Sequence, residues 1–133
     1  MEVKIIIDTS VYVRFKRNEA DIVDCIVSAD LVLLSPMVLG ELMFGFRNGT
    51  RFKENMDDLN SFLQHEVVEL ALIGKITSDC FSRIAEKLKR QGTPIPTNDI
   101  WIAAQTMEHG AELITTDQHF EKINGLVYTI FTL

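Results

Sequence analysis

The stretch "VKIIIDTS", residues 3–10, decides the fold. An apolar run with no alternation reads as a strand buried on both faces, which is the habit of a parallel sheet. The run stops on Asp8, and two hydroxyls, Thr9 and Ser10, follow at once. Aspartate caps helices well, and "SVYVRFKR" has helical character, so one reading of Asp8 is a cap. The other makes it one member of a site whose remaining acids come from far along the chain.

Working outward, strands and helices alternate. Two short helices are expected over roughly 9–17 and 20–29, broken at Asn18, and "LVLLS" (31–35) is a second strand. Ser35 then caps a helix that Pro36 opens at its favoured first position, with an end near Asn48-Gly49. An amphipathic helix is expected over 51–64, where Phe52, Met56, Leu59, Phe62 and Leu63 share a face. "VVELAL" (67–72) is a short strand, and a long helix covers 77–91 with Gly92 at its end. "TPIPT" is extended, because proline pushes the residue before it out of the α region. Asn98 or Thr97 caps the helix "DIWIAAQTMEHG", which Gly110 closes. "ELITT" is a strand, "DQHFEKI" a helical turn and "LVYTIF" a last strand. This order predicts an α/β sandwich with a mostly parallel central sheet. Ligands of such sheets bind beyond the carboxyl ends of the strands, where Asp8 and Asp117 both fall.

The 133 residues suit one domain (1–133) with a real hydrophobic core. No apolar stretch approaches the ~20 residues that span a bilayer. The charges of Glu2 and Lys4 precede only three isoleucines, so no signal peptide is expected. Cys25 and Cys80 lack metal-ligand spacing and read as reduced core residues of a cytoplasmic protein. The net charge of −6 is unhelpful for a nucleic-acid binder, which usually carries a basic face. Basic residues nonetheless cluster at Arg14, Lys16 and Arg17, at Arg47, Arg51 and Lys53, and at Arg83, Lys87, Lys89 and Arg90. Taken singly, each cluster reads as a solvated helix face. Acids gathered around a cation would account for part of the negative total.

Asp8, Asp99 and Asp117 can each be explained as a helix cap or a first-turn acid. Glu41 is different. It lies inside "MVLGELMFGF", among apolar side chains, with no lysine or arginine within a helical turn. A buried carboxylate needs a partner, and a divalent cation shared with Asp8 would serve. Four acids without an adjacent histidine or cysteine favour Mg²⁺ or Mn²⁺ over zinc. His65, His109 and His119 have no mutual ligand spacing; His119, two residues after Asp117, could sit at the site rim, but a surface place is the preferred reading.

Taken together, "IIIDTSV", "SPMVLGELMFG" and "NDIWIAAQTMEHGAELITTDQHFEKINGL" resemble the PIN domain, in particular the VapC-type toxin ribonucleases. The resemblance covers almost the whole chain, and its last motif is the most specific. It implies a PIN-like α/β/α sandwich and a Mg²⁺- or Mn²⁺-dependent endoribonuclease acting on single-stranded or looped RNA such as tRNA. Carried over residue by residue, the acidic site is Asp8, Glu41, Asp99 and Asp117. On physical grounds the direct metal contacts are expected from Asp8 and Asp99, with Glu41 and Asp117 completing the site and one of them orienting or deprotonating the attacking water. Ser10 and Thr116 fall where the family has small polar residues supporting the acids. The resemblance also implies a small VapB-type antitoxin partner and a homodimer.

Three other readings compete. An aspartyl-phosphate phosphatase would want a second aspartate two residues after Asp8, where this chain has Ser10. A dinucleotide-binding fold would want G-x-G-x-x-G after the first strand, and none is present. A catalytically silent RNA- or protein-binding domain on the same fold is the alternative that intact acids argue against.

Overall fold

The computed structural model describes residues 2–132. Its centre is a five-stranded sheet in the order β3-β2-β1-β4-β5, with every neighbouring pair parallel. The strands are β1 (Lys4–Ile7), β2 (Leu31–Leu34), β3 (Val68–Leu70), β4 (Glu112–Thr115) and β5 (Tyr128–Ile130). The mostly parallel sheet expected from the sequence is in fact wholly parallel. Ile5, Ile6 and Ile7 point alternately to the two faces, and all three are inaccessible to solvent, so both faces are covered by helices. A continuous apolar run is the sequence such a strand must have.

The connections are helical: α1 (Thr9–Lys16), α2 (Ala20–Val27), α3 (Pro36–Arg47), α4 (Phe52–Leu63), α5 (Lys75–Gln91) and α6 (Thr97–Glu108). A 3₁₀ turn, Gln118–Lys122, follows β4. Asn18 takes a left-handed conformation (φ 59°) and breaks α1 from α2, and Gly92 and Gly110 close α5 and α6 in the same region. The Ser35 hydroxyl accepts from Met37 N at 3.0 Å, so the expected cap of α3 is present. Cys25 and Cys80 are unpaired and half-buried against the edge of the core, rather than within it.

Two helix starts differ from expectation. α5 begins two residues early, because the Thr77 hydroxyl folds back to accept from Gly74 N at 3.1 Å. α6 has neither Asn98 nor Thr97 as its cap. Pro96 stands before the first turn in an extended conformation, and its carbonyl accepts from Asp99 N and Ile100 N. Thr97 and Asn98 are therefore already helical, and Asp99 is the third residue of the helix.

This topology sets the position of the site. From β1 the chain builds outward through β2 to β3, then returns to place β4 on the other side of β1. The strand order therefore reverses between β1 and β4, and a crevice opens there at their carboxyl ends. Asp8 N donates to Ile114 O at 3.0 Å, stitching the two strands together at the crevice floor.

Candidate active site

A cavity of about 600 Å³ opens at this point, lined by Asp8, Thr9, Ser10, Glu41, Asp99, Thr116, Asp117 and Gln118. All four acids expected from the sequence converge here, together with the two supporting hydroxyls. Four different segments supply the carboxylates: the end of β1, the middle of α3, the first turn of α6 and the loop after β4. No lysine or arginine lines the cavity.

Asp8 is both a cap and a wall of the cavity. It is only 8% exposed, and each of its oxygens accepts one hydrogen bond: Oδ1 from Thr9 N at 2.8 Å, Oδ2 from the Thr115 hydroxyl at 2.8 Å. Burial pushes its carboxyl above the ordinary aspartate value, those two bonds oppose the shift, and the charge of Asp117 adds to it. The Thr115 hydroxyl also accepts from Asp117 N at 3.0 Å. One buried threonine thus ties the acid after β1 to the loop carrying the acid after β4.

Asp99 lies at the electrostatic centre of the cluster. Burial first, then the charges of Asp8 and Asp117, raise its carboxyl to about 6; His119 pulls it down and Glu41 adds a smaller push upward. Carboxylates held this close repel one another, and in such a cavity a divalent cation replaces repulsion with attraction.

Glu41 requires a correction. The sequence reading placed it in a buried environment, but the residue is exposed, standing at the mouth of the cavity. Its helix has a solvent face after all, formed by Gly40, Glu41, Phe44 and Gly45. The carboxyl is still raised, first by partial desolvation against the cavity wall and then by the charge of Asp8, with the Thr9 hydroxyl pulling the other way.

His119 is exposed, as expected, and stands at the rim of the site. Its Nδ1 lies 3.1 Å from Asp117 Oδ1 and 3.7 Å from Asp99 Oδ2. Its backbone N–H donates to the same Asp117 oxygen at 2.8 Å, so Asp117 caps the 3₁₀ turn and that turn brings the imidazole back over the acids. Ligand atoms of Asp99, Asp117 and His119 lie within 4.8 Å of one another. These donors fit a divalent cation by type, by spacing and by the absence of a lining lysine or arginine. Thr115 is the residue the sequence reading missed; His119 is considered there for the rim, with a surface role preferred. The D-x-H spacing at the start of a helical turn was the available signal for the histidine.

The supporting pair is direct: Ser10 Oγ and Thr116 Oγ1 are 2.7 Å apart and hydrogen-bonded. They join α1 to the loop after β4 in the lining of the cavity.

The raised Asp99 carboxyl has a measurable consequence. In the unfolded chain it titrates near 3.8 and in the fold at about 6, so between those values the native state binds the extra proton. Stability of the metal-free protein should therefore fall as pH rises through this window, by up to ~1.4 kcal/mol per pH unit for one proton. Above the window the contribution is fully lost, and added divalent cation should restore it. Thermal melts in EDTA across the window test this. A melting temperature that climbs steadily through it would contradict a repulsive cluster.

The fold and site define an α/β protein with an acidic, cation-receptive cavity at the switch point of a parallel sheet. The PIN domain family model matches residues 5–126, and the chain belongs to that family. Ribonuclease VapC1 of Haemophilus influenzae is 25% identical over 131 residues, spanning 95% of this chain and 96% of that protein. Among solved structures, VapBC2 from Rickettsia felis, bound to a DNA fragment from its promoter, superposes with a TM-score of 0.84 at 19% identity, covering 97% of this chain and 99% of that one. VapBC-1 from nontypeable Haemophilus influenzae gives 0.84 at 24% identity, with 96% and 98% covered. The VapBC likenesses support the shared fold. Among the described residues, no helix is long and apolar enough to cross a membrane.

Proposed function

We propose that this protein is a metal-dependent endoribonuclease, the toxin of a VapBC-type toxin–antitoxin pair, cleaving single-stranded or looped RNA such as tRNA. The observation that carries the reading is the convergence of Asp8, Glu41, Asp99 and Asp117 in one cavity free of lysine and arginine, within a PIN-domain chain. Relatives named Ribonuclease VapC, matched over nearly the whole chain, supply the substrate class.

Asp8, Asp99 and Asp117, which line one cavity, would hold the ion between them. Mg²⁺ suits the carboxylates alone; if the His119 nitrogen joins them, Mn²⁺ is the better match. Bound there, the ion lowers the pKa of a water and offsets charge on the phosphodiester. His119 keeps Asp117 turned toward the cavity through their 3.1 Å contact. Glu41, at the mouth, accepts the proton of the attacking water at its carboxylate. The hydrogen-bonded Ser10 and Thr116 hydroxyls position the phosphodiester oxygens opposite. Asp8 is recessed, so a stiff duplex cannot present its backbone to it, whereas a looped or single strand can.

The site also rationalises its inhibitor. A small VapB-type antitoxin is expected to cover the acids with a basic side chain, because a charge-assisted contact to carboxylate is strong. The active form is expected to be a homodimer.

The test is cleavage of a circular single-stranded RNA by the purified chain, with Mg²⁺ or Mn²⁺ and with EDTA. Metal-dependent linearisation is the expected result. An RNA bound but never cut under either metal would leave a silent RNA-binding domain in place of the nuclease.

A further inference from the structure

The acidic cavity creates a difficulty for its own substrate, since four carboxylates and a net charge of −6 repel a polyanion. The attraction must come from close by. On the far side of the Ser10–Thr116 hydrogen bond lies a second cleft of about 470 Å³, lined by Ser10, Val13, Arg14, Arg17, Thr116, Gln118, Phe131 and Thr132. Ser10, Thr116 and Gln118 line both spaces, so the two clefts share a wall and a rim.

The two arginines of this cleft differ in kind. Arg14 is committed to structure. Its side chain is only 13% exposed; Nε donates to Glu19 at 2.8 Å, and the fork reaches the carbonyls of Phe131 and Thr132 at 3.5 and 3.3 Å. It holds the segment after β5 in place as one wall, and Phe131 N adds a bond to Thr115 O at 2.8 Å. Arg17 is exposed and forms no ion pair among the described residues. Its guanidinium is free for a ligand. Arg17 also lines a further cleft with Lys16, Arg51 and Asp58. There Lys16 lies 3.9 Å from Asp58 and Arg51 pairs with Glu54, so among the described residues Arg17 is the cation of that cleft left without an ion pair.

We propose that this cleft is the docking subsite for the nucleotide next to the scissile phosphate, with Arg17 on that nucleotide's phosphate and Gln118 and Phe131 beside its base. The strand would cross the Ser10–Thr116 ridge, with the acids on one side and the guanidinium on the other. Arginine suits this role because its planar fork matches phosphate oxygens. The half-buried ring of Phe131 offers a base a stacking partner without reading its identity. Arg14 is a positioning residue for that wall, and Arg17 is the contact. This subsite rests on the ribonuclease reading above.

The experiment compares the parent chain with Arg17→Ala, Arg17→Lys and Arg83→Ala in steady-state cleavage of a single-stranded RNA at several KCl concentrations. Arg83 is an exposed arginine on α5 outside both clefts, so its replacement removes the same charge elsewhere. The expected result for Arg17→Ala is a KM raised about tenfold with kcat little changed, as for loss of one charge-assisted contact. The dependence of log KM on log salt should become shallower by ~0.7, the share of one phosphate contact on a single strand. Arg17→Lys should restore the salt slope but only part of the KM, since it returns the charge without the fork, and Arg83→Ala should match the parent. An Arg17→Ala enzyme with the parent's KM and salt slope overturns the subsite while leaving the nuclease intact. An equal loss in Arg83→Ala also overturns it, because the effect is then net charge. A parent that cuts no RNA with either metal removes the ribonuclease reading and the subsite together.

Discussion

Asp99→Asn is expected to cut cleavage steeply while leaving the metal-free fold as stable as the parent or more so. The two halves of this result have one cause. Asp99 feels the charges of Asp8, Asp117 and Glu41 together, and its carboxyl is raised to about 6 by burial and by that crowding. Asparagine keeps the shape and removes the charge, so repulsion in the empty cluster falls. The same change removes the ligand that the proposed cation needs most. Cleavage should drop on the order of a thousandfold, as when a charge-stabilising group is lost from a reacting centre. The rise in melting temperature that Mg²⁺ or Mn²⁺ gives the parent should shrink with it. Glu41→Gln should change the metal-induced melting rise less, because Glu41 is exposed at the mouth, while cleavage should still fall on the order of a hundredfold or more through loss of the base. Paired melts with and without metal, beside single-turnover cleavage, make the comparison. A folded Asp99→Asn that cuts at the parent's metal-dependent rate would remove Asp99 from the site.

The unequal legibility of these acids in the sequence has physical reasons. β1 was readable because burial on both faces leaves no choice of residue, and three isoleucines in a row have few other meanings. Glu41 was placed in the site for a faulty reason. Its helix looked apolar all round because Phe44 stands on the same face as Glu41, yet that phenylalanine is 68% exposed. Apolar residues left in water hid the solvent face, so the carboxylate was taken as buried. Asp99 was read correctly as a first-turn acid, while the helix start slipped because the Pro96 carbonyl took over what a side-chain cap would do. Thr115 was passed over in favour of Thr116. Both are hydroxyls after an apolar run, and only the parallel pairing of β4 with β1 shows that Thr115 faces Asp8. The turn that returns His119 to Asp117 is local by contrast, carried by one bond from His119 N to the Asp117 carboxylate two residues back. Residue types announced the chemistry; strand register and turn geometry decided which neighbours took part.

The question raised by Asp8, whether cap or site, is answered by comparing two replacements. Asp8→Ala removes the acceptor for Thr9 N and for the buried Thr115 hydroxyl, and the Thr115 group in turn holds Asp117 N. Loss of a cap costs about 1 kcal/mol, and a buried donor left unpaired costs ~1–3 kcal/mol more. Relief of charge repulsion offsets part of this, so a net loss of about 2 kcal/mol is expected in the metal-free protein. Asp8→Asn keeps one oxygen and the same shape. It can still accept from Thr9 N, but its amide then faces the Thr115 hydroxyl, which must give up donating and accept instead. Its stability cost should be the smaller of the two. Cleavage should fall steeply in both, because neither side chain presents a carboxylate to the cation. Denaturant melts in EDTA and a cleavage assay on the folded fraction separate the roles. If Asp8→Ala melts with the parent, the hydrogen bonds described here do not hold the crevice together. If Asp8→Asn cuts RNA as the parent does, Asp8 is a cap alone, and the ion must be held from the α6 side by Asp99, Asp117 and His119.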